Sequence, residues 1–150
     1  MVPRFMIIDG IADFRRLLTH HLTTRWPDAE IAEFDPISSG YLPAELSGAG
    51  NDVILLGNEL GDRDGLDILK QFMKARTFPP VAYFGEKDEE QPARKAGAKS
   101  FFPREDIRHD ALIVRLSDLL AARDRKESTG SLFVGDTMAG IRPVIRGYRL

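Results

Sequence analysis

The sequence predicts an open, doubly wound α/β fold of five parallel strands with helices on both faces, and three observations carry that reading. Short apolar runs alternate with stretches of helical periodicity five times within about 120 residues, the pattern of a parallel sheet built from strand-helix units. The runs Phe5-Met-Ile-Ile8, Val53-Ile-Leu-Leu56 and Val81-Ala-Tyr-Phe84 are continuously apolar rather than alternating, as in strands covered on both faces. The length, 150 residues, fits one such domain with room for a tail.

The first strand runs from Arg4 to Asp9 and delivers an acid to its C-terminal edge. A helix follows from about Asp13, an expected N-cap, with Phe14, Leu17, Leu18 and Leu22 on one face and Arg15, Arg16, Thr19 and Thr23 on the other. Trp26-Pro27-Asp28 stops it. Glu30 to Phe34 is a second strand, Tyr41 to Leu46 a Pro- and Gly-broken helical stretch, and Asp52 to Leu56 a third strand. The loop Gly57 to Gly65 leads into a helix carrying Leu66, Leu69, Phe72 and Met73. Pro80 to Phe84 gives a fourth strand, Asp88 to Ala96 a short charged helix, Ser100 to Phe102 a fifth strand, and Asp110 to about Arg123 the last helix. The domain therefore spans 4–123. Residues 124–131 are polar and read as a linker, and 132–150 form a Gly-punctuated basic tail, too short for a second domain.

Composition narrows the function. Twenty-one Lys+Arg against 23 Asp+Glu give a formal charge of −2, which lacks the basic excess of a nucleic-acid binder. No apolar run approaches the ~20 residues that span a bilayer. The absence of cysteine removes disulfides, thiolate metal sites and a Cys nucleophile, and the N-terminus lacks the charged start and long apolar core of a signal peptide. The expectation is a cytoplasmic protein that engages neither nucleic acid nor membrane.

In open α/β sheets the functional crevice lies at the carboxyl ends of the strands. The segments there are Ile7-Ile-Asp-Gly10, Asp52 to Leu69 with its Asp-Gly turn, and Lys95-Ala-Gly-Ala98 followed by Ser100-Phe-Phe-Pro-Arg104. Taken in order, they make residues 4–123 resemble a CheY-like receiver domain of two-component response regulators, which implies a flavodoxin-like sheet and a place in signal transduction. Receivers take a phosphoryl group onto a carboxylate ending the third strand, beside Mg²⁺ held by acids that neutralise the charge of the transferring group. Carried onto this chain, that position is Gly57, and the second acid of the first-strand pair is Gly10. Asp9 is the one carboxylate left. The hydroxyl after the fourth strand aligns with Gly85 or with Glu86, whose charge would repel a phosphoryl group. The basic residue after the fifth strand is Arg104, and the switch aromatic is Phe101, without a hydroxyl. The resemblance therefore implies a degenerate receiver, or pseudo-receiver, with neither metal nor other cofactor and no enzymatic activity.

Each residue also has a plainer structural reading. Asp9 serves as a ligand or acid catalyst, or it pairs with Arg104 across the strand ends; the pairing is expected. Asp62, Arg63 and Asp64 read as a solvated turn and helix cap. His20 and His21 are adjacent on a helix, about 100° apart, and cannot form a metal-binding i, i+4 pair. His21 is expected to be packed and hydrogen-bonded, His20 exposed, and His109 a loop or near-cap residue. Val114 and Ala121 lie opposite the sheet-facing stripe of the last helix and mark a second covered surface, for a homodimer or another protein partner. Val144 to Leu150 resembles the segment that opens bacterial serine/threonine kinase domains, which implies an N-terminal regulatory module with its own kinase domain as partner. The alternative is a working receiver phosphorylated at a displaced acid, Glu59 or Asp62.

Overall fold

The computed structural model describes residues 2–39, 50–75 and 77–133, with side chains only to Arg123 at the C-terminal end. Five strands, β1 (Arg4–Ile8), β2 (Glu30–Phe34), β3 (Val53–Gly57), β4 (Val81–Gly85) and β5 (Ser100–Pro103), form one parallel sheet in the order β2-β1-β3-β4-β5. The helices are α1 (Ala12–Arg25), α2 (Pro36–Ser39), α3 (Gly65–Met73), α4 (Glu90–Ala96) and α5 (His109–Phe133). This is the flavodoxin-like, doubly wound architecture that the alternating pattern called for. Strand order reverses between β1 and β3, which are paired from Phe5–Val53 to Ile8–Leu56, and the crevice of such a sheet opens at that point.

The continuous apolar runs are explained by the two cores. Every residue of β3 and β4 is buried. On one face Phe5, Ile7, Leu55 and Phe84 pack under α1 and α5 through Phe14, Leu18, Leu22, Leu112 and Leu116. On the other Ile8, Ile54, Leu56 and Tyr83 pack under α3 and α4 through Ile68, Leu69, Phe72 and Ala93. At about 25 cal/mol per Å² of apolar surface, fully burying each large side chain contributes about 1.5–3 kcal/mol. β2 is one of the sheet's two edges and has no fully buried residue.

Several expectations shift. The N-cap of α1 is Ile11 in extended conformation, not Asp13, because the Asp9 carboxylate takes the Ile11 amide and starts the helix earlier. Leu17 is 42% exposed, since the sheet-facing stripe is Phe14, Leu18 and Leu22 and Leu17 lies to its side. Asp64, by contrast, does cap α3, accepting from Leu66 N at 2.9 Å. α4 is preceded by a 3-10 turn, Lys87–Glu89. α5 continues to Phe133, ten residues past its expected end, so the stretch 124–131 read as a linker is helical backbone. A charged run with Arg, Lys and Glu sustains a solvated helix as readily as a linker. The helical stretch expected over Tyr41–Leu46 and most of the 132–150 tail lie outside the described residues. No described helix is long and apolar enough to cross a membrane.

Candidate functional site: a closed ion pair at the strand ends

Asp9 follows β1 directly and has no exposed surface. Each of its carboxylate oxygens is met twice. Oδ1 accepts from Arg104 Nη1 at 2.7 Å and from the Glu59 amide at 3.3 Å; Oδ2 accepts from Arg104 Nη2 at 2.7 Å and from the Ile11 amide at 2.9 Å. A carboxylate has about four lone-pair sites, so Asp9 is saturated. The Arg104 fork is bidentate, the strong and geometrically specific form of the contact. It is fixed from two more directions. The guanidinium lies over the Phe14 ring, 3.9 Å from its centroid, and the Arg104 amide bonds the Gly85 carbonyl at 2.9 Å. The pairing expected between Asp9 and Arg104 is thus present, as a buried clamp between the ends of β1 and β5.

The clamp extends into a network that sequence reasoning missed. Arg104 Nη1 donates to Asn58 Oδ1 at 3.3 Å, and Asn58 Nδ2 donates to Glu89 Oε1 at 2.9 Å. Glu89 also accepts from the Glu86 amide at 2.8 Å and from the Tyr83 hydroxyl at 3.2 Å. Burial, then the Glu89 carboxylate, push the Tyr83 phenol well above its usual range, so it stays a neutral donor. A usable signal existed: Glu86 and Glu89 have the spacing of a capping box, and that box is formed. On the other side Arg15 donates to the Asp9 carbonyl at 2.9 Å and to Glu33 at 2.8 Å.

The glycines do not make the site roomy. A Cβ on Gly57 would run into the Asp9 carboxylate and stand 2.9 Å from Arg104 Nη1. At Gly10 it would strike the Ile37 side chain, and at Gly85 the Glu89 carboxylate. The space that side chains occupy at these positions is filled by the network itself at Gly57 and Gly85, and by Ile37 at Gly10. Phe101 is buried, its ring stacked on Tyr83 at 6.3 Å. Glu59 and Asp62 are exposed, and Val114 and Ala121 stand on the outer face of α5. Two grooves of the described surface lie elsewhere, one between α3 and α4 and one beside Arg4 and Glu30.

Mg²⁺, which the resemblance implies for a working receiver, does not fit these residues. The Asp9 carboxylate has every lone pair committed, two to a guanidinium, and a cation would have to displace Arg104 before touching one of its oxygens.

No family model matches the chain, and no curated protein does. Solved structures do. The signal receiver domain of a DNA-binding response regulator (merR) from Colwellia psychrerythraea 34H superposes with a TM-score of 0.67 at 20% identity, over 79% of this chain and 98% of that one. A response regulator receiver domain from Rhodospirillum rubrum gives 0.60 at 22% identity, over 79% and 93%. A two-component response regulator from Clostridium difficile gives 0.61 at 20%, over 79% and 96%. Together with the strand order, these similarities show that the chain has the CheY-like receiver fold.

Proposed function

We propose that this chain is a pseudo-receiver: a signalling module that keeps the receiver scaffold, carries no phosphoryl chemistry and acts by protein contact in one standing conformation. One observation carries the reading. The Asp9–Arg104 clamp fills the space beside Gly57 where a phosphoacceptor and its metal would have to stand. A receiver switches when a new charge at the strand ends pulls neighbouring groups inward. Here the charges at the strand ends already satisfy each other, the Asp9 carboxylate against the Arg104 guanidinium, and the β4–α4 loop is already tied to the pair through Asn58 and Glu89. The contact surface is the outer face of α5 around Val114 and Ala121, and the partner is a second copy of the chain or, given the kinase-like segment Val144 to Leu150, its own kinase domain. The module is cytoplasmic and is not itself an enzyme.

Incubation with Mg²⁺ and acetyl phosphate or beryllofluoride is expected to leave the protein unchanged in mass, in phosphate-affinity electrophoresis and in its amide spectrum. A labile acyl-phosphate overturns the reading. Located at Glu59 or Asp62, which are exposed in the loop after β3, it would instead establish a receiver working through a displaced acid.

A further inference from the structure

α3 and α4 run side by side on one face of the sheet and leave a groove of about 470 Å³ between them. Its lining follows helical spacing: Leu66, Lys70, Met73 and Lys74 from α3, Pro92, Lys95 and Ala96 from α4. Leu66, Met73 and Ala96 form the floor, half-buried against the core below. Lys70, Lys74 and Lys95 form an exposed rim, and none of their side chains makes an ion pair or hydrogen bond with the described residues. The acid nearest in sequence on α4, Glu90, is engaged with Arg94 at 3.2 Å and does not line the groove. Three unneutralised ammonium groups around an apolar floor form a surface that repels cations and is complementary to an apolar ridge flanked by carboxylates.

We propose that this groove docks an acidic amphipathic helix of a protein partner, with apolar side chains at i, i+3 and i+4 seated on Leu66, Met73 and Ala96 and carboxylates meeting Lys70, Lys74 and Lys95. Charge decides against the chain's own end as occupant. Residues 134–150 carry three arginines and one aspartate, a positive segment that the lysine rim repels. The groove shares no residue with the strand-end clamp, so the proposal stands or falls independently of the phosphorylation result.

The test uses the full chain and a dye-labelled synthetic peptide of about 14 residues with Leu at i, i+3, i+4 and i+7 and Glu at the remaining positions. Anisotropy is expected to show saturable binding that weakens with salt, and amide shifts are expected to cluster on α3 and α4. The same peptide with Gln for Glu should bind roughly tenfold more weakly or worse, as should the variant K70Q/K74Q/K95Q. The three lysines are exposed, so the variant should keep the wild-type circular dichroism and thermal midpoint. A further variant, Met73→Ala, removes floor contact without touching charge and should also weaken binding. No binding up to about 1 mM peptide, equal binding of the Gln peptide, or binding undiminished by the lysine variant overturns the proposal. So does sedimentation showing that the lysine substitutions dissolve a wild-type dimer, which would make a second copy the occupant.

Discussion

A carboxylate with no exposed surface is tolerated only if its lone pairs are met, and at Asp9 all four contacts come from groups that hold position for other reasons. Removing one side of such a pair leaves the other buried and unmatched, at a cost of about 3–5 kcal/mol. Asp9→Ala and Arg104→Met are each expected to lower urea-unfolding stability by that order. The double variant should lose markedly less than the sum, and a cycle with no interaction energy would show that the clamp is not a unit. Restoring the acid that the fold resemblance calls for should fail in a specific way. Gly57→Asp places a Cβ against the Asp9 carboxylate and brings a like charge beside it, so it is expected to destabilise by about 2 kcal/mol and to confer no acetyl-phosphate labelling. A stable, phosphorylated G57D protein would mean that the clamp opens easily. At this scale the sequence was legible where a residue's role depends on its place in the sheet: Asp9 and Arg104 stand at the carboxyl ends of the first and fifth strands of an ordered series. It was not legible for Asn58, Glu89 and Tyr83, because loop geometry, not periodicity, decides which of several nearby polar groups a side chain reaches.

Elements are joined by contacts that pattern does not announce. His21 on α1 and His109 at the start of α5 meet Nδ1 to Nδ1 at 2.7 Å, with ring planes 25° apart. One Nδ1–H donates to the other ring's lone pair, and there is room for only one hydrogen between them. His21 was expected to be packed and bonded, and it is; its partner, 88 residues away, was expected in a loop or near-cap role of its own. Burial, followed by the neighbouring charges of His109 and His20, pulls the His21 pKa below its usual 6.5. The unfolded chain therefore binds more protons than the native one just below pH 6.5, so stability rises with pH through that window and falls on acidification. The thermal midpoint should drop between pH 7.5 and pH 5 more steeply in the wild type than in His21→Gln, and parallel pH profiles would refute the linkage. The strands were the most legible elements, because burial on both faces writes a continuous apolar run. Their ends were off by a residue at β1, β3, β4 and β5, where pairing rather than hydrophobicity sets the boundary. The end of α5 was hidden because a charged, Ser- and Gly-bearing stretch satisfies the criteria of a linker and of a solvated helix alike.

On the scale of the whole molecule, a receiver fold acting as proposed, with a fixed pair at its strand ends, would have nothing to toggle, so any surface it uses would have to stand ready in the resting state. The outer face of α5 is the place to test this. Leu112, Leu116 and Leu120 turn inward, while Val114 is 58% exposed and Ala121 stands on the same outer side. Of the two proposed occupants, a second copy of the chain and its own kinase domain, the second copy is the one to test first. A C₂ pair would place the two α5 faces against each other, so each substitution acts twice in the dimer. Val114→Glu with Ala121→Glu is therefore expected to convert a sedimenting dimer to monomer while leaving circular dichroism and the thermal midpoint of the domain within the small range of surface substitutions, about 0.5 kcal/mol. If wild type and variant sediment alike as monomers, α5 presents no self-association surface and the partner must be a different chain.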